Sequence, residues 1–294
     1  MTYNSIEELQ QALYDQNYVA ERSLVTAVYL SMKLGKPLFL EGEPGVGKTE
    51  IAKVIAAMLD TNLIRLQCYE GLDVSQAVYE WNYTRQIMHI RSMEAQNKTF
   101  AEDELFGEKF LLRRPLLRAI EESAEKSQVL LIDEVDRSDE EFEAFLLEIL
   151  SDFQITIPEI GTVKAKNRPF VILTSNRTRE LHDALKRRCI YFWIDYPSFQ
   201  KELEIVTTKV PEASQQLARQ VTAFVQELRS EDLYKVPGVA ESIDWVSALV
   251  ALDQQALDET IIEDTLGVIL KYQDDVTQLK GQIQQVYNRA SAAA

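Results

Sequence analysis

The chain has 294 residues, with 31 lysines and arginines against 47 acids and a net charge of −16. Hydrophobic residues make up 46%, ample for a packed core, which excludes a disordered acidic tail. The acidity argues against a general nucleic-acid coat, because phosphate backbones reward a basic face; a local basic patch stays open.

The length suggests about two domains. Residues 5–16 predict an amphipathic helix with a serine start, and 20–33 a second helix. Pro37–Leu40 suits a short buried parallel strand; glycines follow, and Glu50–Leu59 carries apolar residues at helical spacing. Asn62–Leu66 predicts another strand, and 71–97 an aromatic, largely helical stretch. Arg114–Ser127 predicts a helix with Pro115 in its first turn, where a missing N–H costs little. Gln128–Ile132 predicts a strand closed by Asp133 and Glu134, 139–151 a helix, and 153–168 a hairpin around Gly161. Phe170–Leu173 reads as a strand ending in Thr174, Ser175 and Asn176, and Tyr191–Ile194 as another.

Beyond Pro197 the strand pattern stops. Residues 198–294 are helical in pattern, with amphipathic helices at 213–230 and 276–289, a break at Pro237–Gly238 and a frayed tail at 290–294. The expected organisation is an α/β unit over 1–196, then a helical unit over 197–294. No run reaches the roughly 18 to 20 apolar residues of a membrane helix, and the start lacks a secretory signal. Cys68 and Cys189 lie far apart and form no CxxC, which argues against a disulfide scaffold or structural zinc. With only His89 and His182, a histidine triad has little support. The expected setting is cytoplasmic and reducing, without a membrane.

Gly42-Glu43-Pro44-Gly45-Val46-Gly47-Lys48-Thr49 matches G-x-x-x-x-G-K-[ST] at every defined position, between a strand and a helix. Backbone N–H groups in such a loop cradle phosphate oxygens, and the helix N-terminus adds partial positive charge. Lys48 is expected at the β/γ phosphates and Thr49 on Mg²⁺; Gly42–Glu50 is the candidate contact stretch for ATP. The apolar run before Asp133 and Glu134 puts a carboxylate pair at a strand's carboxyl end, where α/β sheets bind ligands. Asp133 is then a candidate Mg²⁺ ligand. Glu134 is the candidate that orients, and deprotonates, the attacking water. Asn176 ends the next strand and has two readings, a γ-phosphate and water contact or a turn asparagine. In Lys186-Arg187-Arg188, the lysine reads as a helix-end cation. Arg187 and Arg188 are finger candidates for a neighbouring subunit's γ-phosphate, Arg188 ahead of Arg187.

These four motifs in this order resemble the AAA+ ATPases, and within them the MoxR family. The subgroup linked to maturation of molybdenum-containing carbon monoxide dehydrogenase is the nearest likeness. It rests on Tyr18-Val-Ala-Glu21, Leu34 to Glu50, Cys68-Tyr-Glu-Gly-Leu-Asp73, Arg114-Pro-Leu-Leu117, Ile132-Asp-Glu-Val-Asp-Arg137 and Glu241-Ser-Ile-Asp-Trp245. The resemblance implies an αβα core with a parallel five-stranded sheet, a smaller helical lid and a ring, most often hexameric. It places Tyr18 and Val19 near adenine, an insertion at 74–100 and a hairpin at 153–168, both facing a pore or partner. It also implies a partner with a von Willebrand factor A domain and a client metalloenzyme. One departure stands: where many relatives carry a lid arginine, Glu241–Trp245 has none. Either lid sensing differs, or Arg113 and Arg114 supply charge from the core.

Tyr79, Trp81, Tyr83 and Met88 make the insertion aromatic, as a client surface or as its own packing. Three functions stay open: an ATP-driven remodelling chaperone, a nucleotide-gated scaffold with negligible turnover, and a nucleic-acid-linked NTPase subunit. The last has the least support.

Overall fold

The structure is a computed structural model and describes residues 3–97, 102–123 and 126–293. The insertion's residues 98–100 and the tail's Ala294 lie outside the described residues. In chain order, α1 (Ile6–Asp15) and α2 (Arg22–Leu34) lead into β1 (Leu38–Gly42), α3 (Lys48–Met58) and β2 (Leu63–Gln67). Then come α4 (Val74–Ala77), β3 (Tyr79–Trp81), α5 (Tyr83–Ala95), β4 (Leu111–Arg113), α6 (Pro115–Glu122) and β5 (Val129–Asp133). They are followed by α7 (Glu140–Asp152), β6 (Gln154–Ile157), β7 (Gly161–Lys164), β8 (Phe170–Ser175), α8 (Asp183–Arg188) and β9 (Ile190–Ile194).

The central parallel sheet has five strands in the order β2-β5-β8-β1-β9. Its strands read as short apolar runs because both faces are covered: β1 and β5 are buried at every position. The register pairs Ile132 with Leu173 across β5 and β8, which brings the carboxyl ends of those strands side by side. Helices start where the sequence supplies caps. Pro115 opens α6, and the Asp139 carboxylate accepts from the Phe142 N–H at 2.8 Å to start α7. Phe153 closes α7 with φ 51°, and the β6–β7 hairpin follows.

Residues 71–97 are largely helical, as α4 and α5, with the short strand β3 between them. Tyr79–Trp81 pairs antiparallel with Leu111–Arg113, because aromatic and β-forming residues there alternate against a partner strand far along the chain. The insertion's aromatics divide. Trp81 is buried and Tyr79 packs against the core, whereas Tyr83 and Met88 on α5 are exposed.

The chain folds as two compact units. One comprises Met1–Leu9, Arg22–Glu41 and Thr49–Trp193; the other comprises Gln10–Glu21, Gly42–Lys48 and Ile194–Ala294. Beyond β9 the second unit is helical: α9 (Phe199–Lys209), α10 (Gln215–Leu228), α11 (Val239–Ala251), α12 (Glu259–Ile269), α13 (Gln273–Lys280) and α14 (Ile283–Ala293). Its core centres on Trp245 and Phe224, fully buried with ring centroids 5.5 Å apart. The helix expected at 276–289 is broken into α13 and α14 at Gly281, where a glycine favours interruption over continuation. The tail expected to fray instead ends in helix, with Ala290 buried. Among the described residues no helix is long and apolar enough to cross a membrane.

Candidate functional site

The glycine loop belongs to the second unit. Lys48 is buried, and its Nζ donates to the Gly42 and Glu43 carbonyls at 2.7 Å each, which ties the ammonium across the loop's own backbone. Gly45 and Gly47 have φ of 77° and 94°, conformations that side chains resist. At Gly42 a Cβ would meet the Ile194 carbonyl oxygen at 2.3 Å, so only glycine lets these backbones approach. The Tyr18 ring is buried within 4.0 Å of the Cβ position on Gly47; Val19 is half-buried beside it in sequence. Val46 is half-buried, Pro44 exposed, and Glu50 pairs with Lys53 at 3.1 Å.

In the same unit, α11 meets the loop with an acid. The Ala240 N–H donates to the Gly45 carbonyl at 3.1 Å, and Glu241 Oε2 lies 3.0 Å from the Cβ position on Gly45. That carboxylate also accepts from the Gly238 N–H at 2.9 Å, capping the helix start. Beside it is a cavity of about 320 Å³ lined by Glu43, Pro44, Tyr196, Tyr234 and Glu241 among others. Burial, then the charge of Glu43, pushes the Tyr196 phenol up from its ordinary value. In the first unit, Arg113 pairs with Glu121 at 2.5 Å and with Glu108 at 3.4 Å. Arg114 pairs with Glu80 at 2.5 Å.

The first unit gathers the acidic pair. Asp133 is buried at the end of β5, and its Oδ1 accepts from the Thr49 hydroxyl at 3.1 Å and from the Thr174 hydroxyl at 2.5 Å. Its Oδ2 accepts from Arg65 Nε at 3.0 Å and Nη2 at 2.5 Å. Glu134 follows in the left-handed region with φ 54°, a conformation that costs an L-residue on the order of 1 kcal/mol and recurs at functional sites. Its N–H donates to Thr174 Oγ1 at 2.9 Å. Two amides reach the Glu134 carboxylate: Asn176 Nδ2 donates to Oε1 at 3.2 Å, and Gln67 Nε2 to Oε2 at 3.0 Å. Arg137 pairs with the same Oε2 at 3.0 Å. Buried Asp136 accepts from the backbone N–H groups of Asn176 and Thr178 at 3.2 and 2.8 Å, fixing the loop that carries Asn176.

Thr49, Asp133, Glu134 and Asn176 are thus brought together as the strand-end argument expects. The sequence assigns no role to Arg65 and Gln67, nor to Thr174, Asp136 and Arg137, although Thr174 stands in the polar strand end and the other two in the Ile132–Arg137 motif. A charged residue inside the apolar run Asn62–Leu66, and polar residues at two neighbouring strand ends, were the available signals.

Residues 37–189, more than half of the chain, match the family described as AAA domain, dynein-related subfamily. The chain belongs to this family. Among curated relatives, this AAA chain is 25% identical over 284 residues to the gas vesicle ATPase GvpN of Haloferax mediterranei, covering 90% of the chain and 78% of GvpN. It is 26% identical over 201 residues to the uncharacterized protein YehL of Escherichia coli K12, covering 65% of the chain. The match spans half of YehL's length. Among solved structures, the Thermotoga maritima RuvB Holliday junction branch migration motor aligns with TM-score 0.45 and 19% identity, covering 91% of this chain and 72% of that one.

The donor set of the AAA core fits a magnesium nucleotide. A buried carboxylate and an adjoining threonine hydroxyl are hard oxygen ligands, and Mg²⁺ commonly takes one or two such groups together with phosphates and water. Among the described residues no group of three or more His, Cys, Asp or Glu could hold an ion alone. On α8, Lys186 pairs with Glu180 at 2.9 Å. Arg187 is exposed, 4.0 Å from Asp183, while Arg188 donates to Ser151 Oγ at 3.0 Å and to the Ala184 carbonyl at 3.1 Å. Both cysteines are buried, and burial first of all pushes each thiol up to about 12, which leaves them protonated and unreactive. His182 caps α8, its Nδ1 accepting from the Ala184 N–H at 3.3 Å; His89 lies 3.2 Å from Lys109 Nζ.

Proposed function

We propose that this AAA chain hydrolyses Mg-ATP and uses the cycle to remodel a client protein, in the manner of MoxR-type ATPases. The observation that carries this is the convergence of Asn176 and Gln67 amides on Glu134, one residue from a buried Asp133 bonded to Thr49. Glu134 is the group to accept a proton from water, and the two amides hold its carboxylate in line. Thr49 and Asp133 hold the cation that accompanies the nucleotide, and Lys48 neutralises phosphate charge. Tyr18 and Val19 are proposed against the adenine. Arg187 or Arg188 is proposed to reach a neighbour's nucleotide in a homo-oligomeric ring, hexameric by the MoxR likeness.

The same likeness supports a cytoplasmic maturation role with a von Willebrand factor A domain partner and a client metalloenzyme. The similarity to a gas vesicle ATPase supports ATP use and leaves the client class to experiment. A slowly turning, nucleotide-gated scaffold is the second reading. It is favoured by the arginines on both acids, Arg65 on Asp133 and Arg137 on Glu134.

Replacing Asn176 by alanine tests the first reading. Turnover is expected to fall by about 10²-fold, within the range for a positioned proton-transfer group, while ATP affinity stays within about threefold. Unchanged turnover in a folded variant would remove Asn176 from the machinery.

A further inference from the structure

The first unit carries a second cavity at the opposite end of the sheet. It opens where β1 and β8 begin, at Pro37, Phe170 and Val171, roughly 17 Å of strand away from the carboxyl ends that hold Asp133 and Asn176. Its volume is about 320 Å³, at the lower end of the range for small-molecule sites. The walls are apolar and aromatic: Leu59, Phe153, Pro169, Phe170 and Val171, with Met32 beside them. Every charged side chain among its described lining residues is a cation: Lys33, Lys36, Lys126 and Arg168. In a chain of net charge −16, four cations and no acid among the described lining residues run against the general composition.

Two of the four stand on fixed backbone. Gly35, with φ 60°, ends α2; the Lys36 N–H donates to the Ser31 carbonyl at 3.2 Å, and the Ser31 hydroxyl donates to the Lys36 carbonyl at 2.6 Å. Across the cavity, the Ser127 hydroxyl donates to the Arg168 carbonyl at 2.5 Å. Two of the charged ends rest on aromatic rings and a third on an acid. Lys33 and Arg168 lie over the Tyr29 and Phe153 rings at 5.3 Å, and Lys126 reaches Asp60 at 3.1 Å. The Lys36 ammonium acts through its charge on the buried Cys189 thiol. Tyr3 and Tyr29 also line it, the Tyr29 hydroxyl donating to the Asn4 carbonyl at 3.1 Å.

We propose that this cavity is a second ligand site, separate from the glycine loop, for a small organic anion with an apolar or aromatic body and a carboxylate or phosphate head. The body packs against Phe153, Phe170 and Val171, and the head meets Lys36 and Arg168. The full chain is titrated with 3-phenylpropionate, phenyl phosphate and neutral 3-phenylpropanamide, with and without saturating Mg-ATP. At least one anion is expected to bind saturably, at least tenfold tighter than the amide, and to persist under Mg-ATP. Lys36→Glu with Arg168→Glu is expected to weaken it at least tenfold while ATP turnover is unchanged. The single, exposed Lys36→Ala gives a smaller loss of the same sign and serves if the double variant does not fold. Absence of saturable binding by both anions overturns the proposal. Equal binding of the amide, displacement by Mg-ATP, or unchanged affinity in the folded variants does so equally.

Discussion

Asp133 is a carboxylate almost sealed from water, with its two oxygens divided between hydroxyls and a guanidinium. The Coulomb attraction of Arg65 is partly screened, because the arginine side chain is half exposed while its partner is 3% exposed. Removing the arginine nevertheless leaves a buried charge with hydroxyl donors alone, an arrangement that costs roughly 1–3 kcal/mol. Arg65→Ala is therefore expected to lower thermal stability, and Mg-ATP to restore most of it by supplying positive charge at Asp133. A melting temperature equal to wild type without nucleotide would show that Arg65 is incidental. Sequence reasoning had named Asp133 and Glu134 from their apolar lead-in. Arg65 showed there only as a charge inside an apolar run and Gln67 not at all; both matter once β2 is known to lie beside β5. Pairing such as that of Leu63 with Val129 is a tertiary fact, absent from any local pattern.

Element by element, the strands and most helices were legible because burial on both faces writes a simple apolar run and caps write clear starts. Most boundaries moved by one or two residues, as at Pro37–Leu40 against Leu38–Gly42, but the helix expected over Arg114–Ser127 stops at Glu122. The β3–β4 pair was not legible, since each strand has three residues and its partner is distant. Nor was the break at Gly281, where amphipathic spacing carried on past a single glycine. A sequence could not announce the polar knot of the helical unit either. Glu202 is fully buried and takes both terminal nitrogens of Arg229, at 2.6 and 2.7 Å, with the Ser242 hydroxyl at 2.6 Å and the Gln226 amide at 2.6 Å. It ties α9, α10 and α11 together. Truncating one member of such a pair strands the other's charge. Glu202→Ala is expected to cost about 3–5 kcal/mol in urea unfolding, with the loss concentrated in the helical unit. A loss below about 1 kcal/mol would mean the knot is neutral for stability.

At the scale of the whole molecule, the net charge hides an uneven distribution. Residues 161–190 carry eight bases and two acids, 8 − 2 = +6, while residues 200–294 carry 8 bases and 15 acids, 8 − 15 = −7. Several of those bases are already answered, Arg179 by Glu143 and Lys186 by Glu180, which leaves Arg187 and Arg188 as the exposed pair at the end of α8. If they serve a neighbour, mixing Lys48→Ala subunits with subunits lacking both arginines restores activity that neither has alone. No recovery in demonstrably mixed oligomers would exclude action in trans. The central claim is that Glu134 drives ATP hydrolysis, and it is tested most directly by steady-state phosphate release from Glu134→Gln beside a measured ATP affinity. Turnover is expected to fall about 10²-fold or more, with ATP affinity within about threefold of wild type. Wild-type turnover in the folded variant would contradict it.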